Sequence, residues 1–152
     1  MGTRTHDETI VDALTRLARA NRDSEEGYST AAEAVRETDA DLHTLFHRYA
    51  KQRAQFAGEL EQEIHSYGGE YPVQGTIGGA LRKGWLNLRS AIGGHDPDAI
   101  VVECINAENA ALEDYEEALR QDLPEYLKEM IREQHDHFLE TRQRLQAIKA
   151  AT

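Results

Sequence analysis

The sequence predicts an all-α fold: a bundle of four long helices, with a shorter crossover helix between the second and the third. Three observations carry this. Apolar residues recur at alternating steps of three and four through four long segments, which is the period of one helix face. The breakers fall between those segments, with prolines only at Pro72, Pro97 and Pro124 and glycine pairs at Gly68-Gly69 and Gly93-Gly94. No stretch of convincing length alternates with the two-residue period of a strand.

The first helix is expected over residues 6–37. It opens on the capping pattern Thr5-x-x-Glu8, and its inward stripe reads Ile10, Leu14, Leu17, Asn21, Ser24, Tyr28, Ala31 and Val35. The second is expected over 39–67, capped by Thr38 or Asp39, with Leu42, Phe46, Tyr49, Arg53, Phe56, Leu60, Ile64 and Tyr67 on one face and a stop at Gly68-Gly69. A crossover helix over 76–93 would carry Ile77, Leu81, Trp85, Leu88 and Ile92 on its apolar side. At about 1.5 Å per residue it spans roughly 25 Å, enough to return the chain to the other end of a bundle.

The third long helix is expected over 97–121, with Asp96 as cap and Pro97 in its first turn, and with Val101, Cys104, Glu108, Ala111, Tyr115 and Ala118 inward. The fourth, over 123–149, opens around Asp122-Leu123-Pro124 and presents Leu127, Met130, Gln134, His137, Thr141, Leu145 and Ile148. Heptad-like spacing through four such segments favours knobs-into-holes packing in one bundle over globin-like crossings.

A chain of 152 residues fits a single domain, 1–152, able to bury a core without disulfide or metal. Its 28 acidic against 17 basic residues give a formal net charge of -11, which repels nucleic acid and anionic membrane surfaces. Neither is expected as a partner. The one cysteine, Cys104, cannot form an intrachain disulfide, and the expected location is cytoplasmic. No run reaches the roughly 20 apolar residues of a membrane helix, and residues 1–7 lack a signal-peptide core.

Each long stripe is interrupted near its middle: by Asn21 and Ser24, by Arg53, by Glu108, and by Gln134 with His137. Four midpoints of a bundle form one layer. A buried charge costs several kcal/mol unless paired, so Arg53 and Glu108 are expected to meet, with Asn21, Gln134 and His137 completing the hydrogen bonds and Tyr28 and Tyr115 bridging helices beside them.

The motifs Asn21-Arg22-Asp23 with Glu26-Gly27-Tyr28, Gln52-Arg53-Ala54-Gln55-Phe56-Ala57, Gly79-Ala80-Leu81 with Gly84-Trp85, and Asp114-Tyr115-Glu116-Glu117-Ala118-Leu119 carry a resemblance that spans nearly the whole chain. By them the chain resembles the ferritin-like superfamily, and more closely a bacterial four-helix-bundle family defined only as a domain of unknown function. The resemblance implies a ferritin-like four-helix bundle. In metal-binding members, a glutamate on two helices and a Glu-x-x-His pair on the other two enclose two irons, the single glutamates standing seven residues before an inward tyrosine.

Carried onto this chain, those positions fall on Asn21 before Tyr28, Glu108 before Tyr115, Arg53 with Phe56, and Gln134 with His137. Glu108 and His137 alone match, and Arg53 places a positive charge where a dication would sit. The expectation is therefore a non-enzymatic, stress-associated or interaction protein without cofactor, assembled as a homodimer by the family's habit, with a polar network in place of a degenerate di-iron site. Two alternatives stand beside it. One is a divergent oxidoreductase or iron-storage protein binding iron through Glu25, Glu26, Glu108, Glu133 and His137, which needs one helix turned by about 100 degrees. The other is a bundle in which Arg53 grips an anion or small ligand, which requires a pocket beside it.

Other chemistry-bearing residues have plain structural readings. His135-Asp136-His137, with Glu133 and Glu140, spreads over several faces of a helix, where only residues three or four apart are neighbours. Cys104 reads as a small buried apolar residue. His65, Tyr67 and His95 mark helix ends. No phosphate-binding glycine loop, nucleophile elbow or zinc-ligand spacing is present.

Overall fold

The computed structural model of the chain describes residues 6–71 and 85–151. Among the described residues five helices follow in order: α1 (His6–Ala34), α2 (Ala40–Ser66), the short α3 (Leu88–Gly93), α4 (Pro97–Leu119) and α5 (Glu125–Ala150). No strand occurs among the described residues.

Local chemistry sets the ends. Asp39 caps α2, its carboxylate accepting from the Leu42 amide at 3.0 Å, and Asp96 caps α4 by accepting from Asp98, with Pro97 in the first turn where its missing N–H costs nothing. The end of α2 is a Schellman turn. Gly68 takes φ 84°, its N–H donates to the His65 carbonyl at 3.0 Å, and that of Gly69 donates to Ile64 at 2.9 Å. A side chain at Gly69 would strike Val11 and Ile64, so the turn can lie close on α1 only without one.

Where the structure departs from expectation, the reasons are local. α1 stops at Ala34, three residues short of 37, and the chain turns through 35–38 while Val35 stays buried. α4 ends at Leu119, and α5 begins at Glu125 after Pro124, whose φ of -54° and ψ of 145° are extended, not helical. Only the last third of the crossover helix is present among the described residues. Trp85 to Asn87 form a turn and helix starts at Leu88, because the Trp85 indole swings into the core against Tyr28, at 5.1 Å between ring centroids. Thr5, Ile77, Leu81 and the motif Gly79-Ala80-Leu81 lie outside the described residues, as do 76–84 of the predicted crossover helix.

On α5 the buried stripe is Leu127, Ile131, Gln134, Phe138, Thr141 and Leu145. Met130 and His137, expected at its centre, stand on its flank, and Ile131 and Phe138 take the inward positions. The other stripes run as the spacing predicts, except that Tyr67 and Ile92 are half-buried.

Two apolar clusters fill the interior. One gathers Tyr28, Val35, Phe46, Leu88, Ile100 and Leu145; the other gathers Leu14, Phe56, Leu60, Leu112, Tyr115 and Phe138. Every long helix contributes to both; the buried polar side chains Asn21, Ser24, Arg53, Glu108 and Thr141 fall between them in sequence, and Gln134 one turn further into the second, between Ile131 and Phe138. The order in which the helices visit the clusters fixes their directions. α2 and α4 run one way and α1 and α5 the other, so the end of α2 and the start of α4 lie at opposite ends of the bundle. α1 packs closely on α2 and α4, and α4 on α5. α2 and α5 meet through side chains such as Phe56 and Phe138. α2 and α4 are therefore diagonal partners.

Candidate functional site

The polar layer centres on an ion pair across that diagonal. Arg53 of α2 donates Nη1 to Glu108 Oε2 and Nη2 to Glu108 Oε1, both at 2.9 Å, in a two-pronged pair with both side chains essentially removed from solvent. Parallel N–H···O bonds of this kind suit the planar guanidinium and carboxylate and are about twice as strong as neutral ones.

The guanidinium has five N–H groups to satisfy. The pair with Glu108 takes two. Nη1 also donates to Ser24 Oγ of α1 at 3.1 Å, Nη2 to Thr141 Oγ1 of α5 at 3.1 Å, and Nε to Gln52 Oε1 at 3.1 Å. Every donor of Arg53 is thus used, by groups from all four long helices. The flat face of the guanidinium lies on the Phe138 ring, 3.6 Å from its centroid, which gives the charge an aromatic quadrupole in place of water. Both oxygens of Glu108 are engaged. Oε2 accepts a second bond from the Tyr28 hydroxyl at 2.8 Å, in addition to the pair with Arg53.

Burial works against the charge of Arg53, but the adjacent Glu108 carboxylate outweighs it and holds the arginine pKa above its ordinary value. The hydroxyl of Tyr28 is pushed well above the usual tyrosine range, first by burial and then by the Glu108 charge. Cys104, one turn before Glu108 on α4, is fully buried, and burial followed by the same carboxylate raises its thiol well above normal. Neither group is prepared to lose its proton near neutrality, so neither a thiolate nucleophile nor a tyrosinate is available here.

A second chain of hydrogen bonds crosses the layer beside the ion pair. Asn21 Nδ2 donates to the Leu17 carbonyl at 2.9 Å and to the Tyr115 hydroxyl at 2.7 Å. Tyr115 donates to Gln134 Oε1 at 2.6 Å, and Gln134 Nε2 donates to Glu59 Oε1 at 3.0 Å. This chain links α1, α4, α5 and α2 and ends at half-buried Glu59. Burial is the chief cause that raises the Tyr115 pKa, with the Asn21 bond opposing it.

His137 does not complete the layer. Its side chain is 44% exposed, with Nδ1 at 3.4 Å from Gln52 Nε2 and 3.5 Å from Glu140. It joins the network through Gln52 and through its backbone carbonyl, which accepts from Thr141 Oγ1 at 3.0 Å. The carboxylates of the alternative iron-binding set are dispersed. Glu25 pairs with Arg22 at 2.8 Å, Glu26 is half-buried beside it on α1, and Glu133 is exposed on α5. Among the described residues, no group of three or more His, Cys, Asp or Glu side chains is placed to share a metal ion.

Ser24, Gln52, Thr141 and Glu59 do work that Arg53 and Glu108 alone do not announce. Ser24 and Thr141 carry a usable signal, being small hydroxyl residues on otherwise apolar stripes at the level of the charged pair. Gln52 and Glu59 lie off the α2 stripe and carry none.

A family model described as "Domain of unknown function (DUF2383)" matches residues 9–121. That span holds all but the first three residues of α1, and α2 through α4, and so both members of the ion pair. Gln134 and Thr141 on α5 lie beyond it. No curated protein matches the sequence. With most of its length under the family model, the chain belongs to the family described as a domain of unknown function, DUF2383.

Proposed function

We propose that this protein is a ferritin-like bundle without catalysis in its core, a structural or interaction protein in which a buried ion-pair network stands where metal-binding relatives would hold two irons. The observation that carries the reading is the full use of the Arg53 donors and their two-pronged hold on Glu108. All five donors of the one and both oxygens of the other are engaged within the protein.

The residues do not fit a dinuclear centre. To bridge two metals Glu108 would have to turn both oxygens away from Arg53, leaving an uncompensated buried guanidinium beside them, at a cost of about 3–5 kcal/mol before any repulsion is counted. Anion capture by Arg53 meets the same obstacle, because it has no donor to offer. A cleft of about 930 Å³, lined in part by Asp12, Arg16, Arg19 and Asp23, reaches the layer only at Ser24. What remains for the layer to do is to fix which helices face each other and in what register, since each of the four must bring one polar group to the same level.

The test is elemental analysis after anaerobic exposure to ferrous iron, with Arg53→Glu measured beside the wild type. The reading expects no stoichiometric iron in the wild type. Iron bound stoichiometrically and lost in Glu108→Gln would overturn it. Iron gained only by Arg53→Glu would mark Arg53 as the group that occupies a lost ligand position.

A further inference from the structure

We propose that His43 and His47 form a two-imidazole binding site for a first-row divalent cation of the zinc and copper class on the outer face of α2. The polar layer has no part in it. The two histidines stand one turn apart on the same helix face, their rings nearly parallel at 13° with centroids 6.3 Å apart. Side chains four residues apart on a helix have Cβ atoms roughly 5–6 Å from each other. Rotation about the side-chain torsions then brings both ring nitrogens to about 2.0–2.1 Å from one ion.

The tautomer of His43 is fixed by its surroundings. Its Nδ1 lies 2.8 Å from the backbone carbonyl of Ala32 in α1. A carbonyl oxygen only accepts, so Nδ1 is the donor in this bond, and Nε2 is the nitrogen left for a metal ion. Metal-binding histidines are characteristically held this way, with the second nitrogen donating to a carbonyl or carboxylate that orients the ring and raises its basicity. This bond ties the site to the α1–α2 corner, while His47 is exposed and free to rotate onto the ion.

Electrostatics set the balance. His43 lies in the first turn of α2, where the helix dipole disfavours a cation by about 0.3–1 kcal/mol. Asp39 and Asp41 in the same turn, and the net charge of -11, act in the opposite sense. Imidazole suits zinc, copper and nickel better than it suits magnesium or calcium, and this defines the class of ion. The other described histidines lack this arrangement. His135 faces Glu116 and Asp136, and His137 faces Glu140 and the ring of Phe56.

Calorimetric titration of the full chain with zinc, with imidazole nitrogen NMR on the same samples, tests the site. One zinc equivalent is expected, with the His43 and His47 ring nitrogens shifting together and affinity falling roughly tenfold or more in His43→Gln and in His47→Gln. A His135→Gln, His137→Gln double variant should bind as the wild type does. Absence of zinc binding, unchanged affinity in either single variant, or shifts at other histidines instead would overturn the proposal. The NMR result on wild-type protein stands whether or not the variants fold. Repeating the ferrous iron measurement in the His43→Gln, His47→Gln background keeps the two sites separate.

Discussion

The indole of Trp85 lies directly on the backbone of Gly27. A methyl group at Gly27 would fall 2.5 Å from two of its ring carbons and 2.7 Å from a third. Trp85 is 2% exposed and packs on α1 just before α3 begins. The glycine is needed for the approach of a large flat ring, since Gly27 has no positive φ to accommodate.

That contact predicts opposite signs for one substitution at two places. In an exposed helix interior, Gly→Ala is worth about 0.8–1.0 kcal/mol of stability. At Gly58 on α2, where nothing lies within 4 Å of the new methyl, Gly58→Ala should raise stability by roughly that amount. Gly27→Ala must displace the indole and should lower stability by about 1–3 kcal/mol. Trp85 is the single tryptophan, so its fluorescence should shift to the red in Gly27→Ala and stay unchanged in Gly58→Ala. Equal stability changes in the two variants would mean that Trp85 does not rest on α1.

The ion pair predicts strong coupling. Arg53→Met or Glu108→Leu alone leaves one buried charge without its counter-ion and should cost about 3–5 kcal/mol in denaturant unfolding. The double variant should be less destabilised than the sum of the two by roughly 1–3 kcal/mol, the range for directly contacting residues. Additive losses would show that the charges act separately, and would remove the basis for assigning the layer a register-fixing role.

The helices were legible in the sequence because burial and period report the same thing. Leu14, Leu17, Phe46, Leu60 and Ile100 have nowhere to go but inward. The pairing of Arg53 with Glu108 was legible for a similar reason, as two charges on apolar stripes have few ways to avoid each other's company. The facing of α5 was not. Its sequence offers two stripes one residue apart, Met130 with His137 or Ile131 with Phe138, and periodicity cannot rank them. The choice is made by tertiary packing, because Phe138 fills the space over the Arg53 guanidinium and packs at a tilt of 43° on Tyr115, 4.8 Å between centroids. Nor was the turn at 85–87 legible, since Trp85 and Leu88 fit a helical stripe as well as they fit an indole folded back onto Gly27.

The facing of α5 yields a third prediction. Thr141 accepts from Arg53 Nη2, so Thr141→Val keeps the shape but strands a buried charged donor, and should cost about 1–3 kcal/mol. His137→Ala touches only a half-exposed ring, and should stay within about 0.5 kcal/mol of wild type. Thermal unfolding of the two variants side by side decides the matter. A larger loss in His137→Ala would place the imidazole in the layer after all.

The buried hydroxyls and thiol also make the fold sensitive to alkali, and the sign follows from proton counting. Tyr28, Tyr115 and Cys104 all have folded-state pKa values raised above their ordinary ones, 10.0 for the tyrosines and 9.0 for the thiol. Above those ordinary values the unfolded chain releases three protons that the native state retains. The unfolded state then binds fewer protons, and stability falls with rising pH by about 1.4 kcal/mol per unit for each group fully in that window. Below about pH 8 the three contribute no slope. The urea midpoint should therefore decline steeply from about pH 9 upward, and ultraviolet titration should show Tyr28 and Tyr115 ionising only as the protein unfolds. In a Tyr28→Phe, Tyr115→Phe variant the alkaline decline should lose the share of those two groups, even though the variant starts less stable because Glu108 and Gln134 each lose a donor. An unchanged slope in that variant would mean that the two hydroxyls titrate freely in the native protein, against their complete burial.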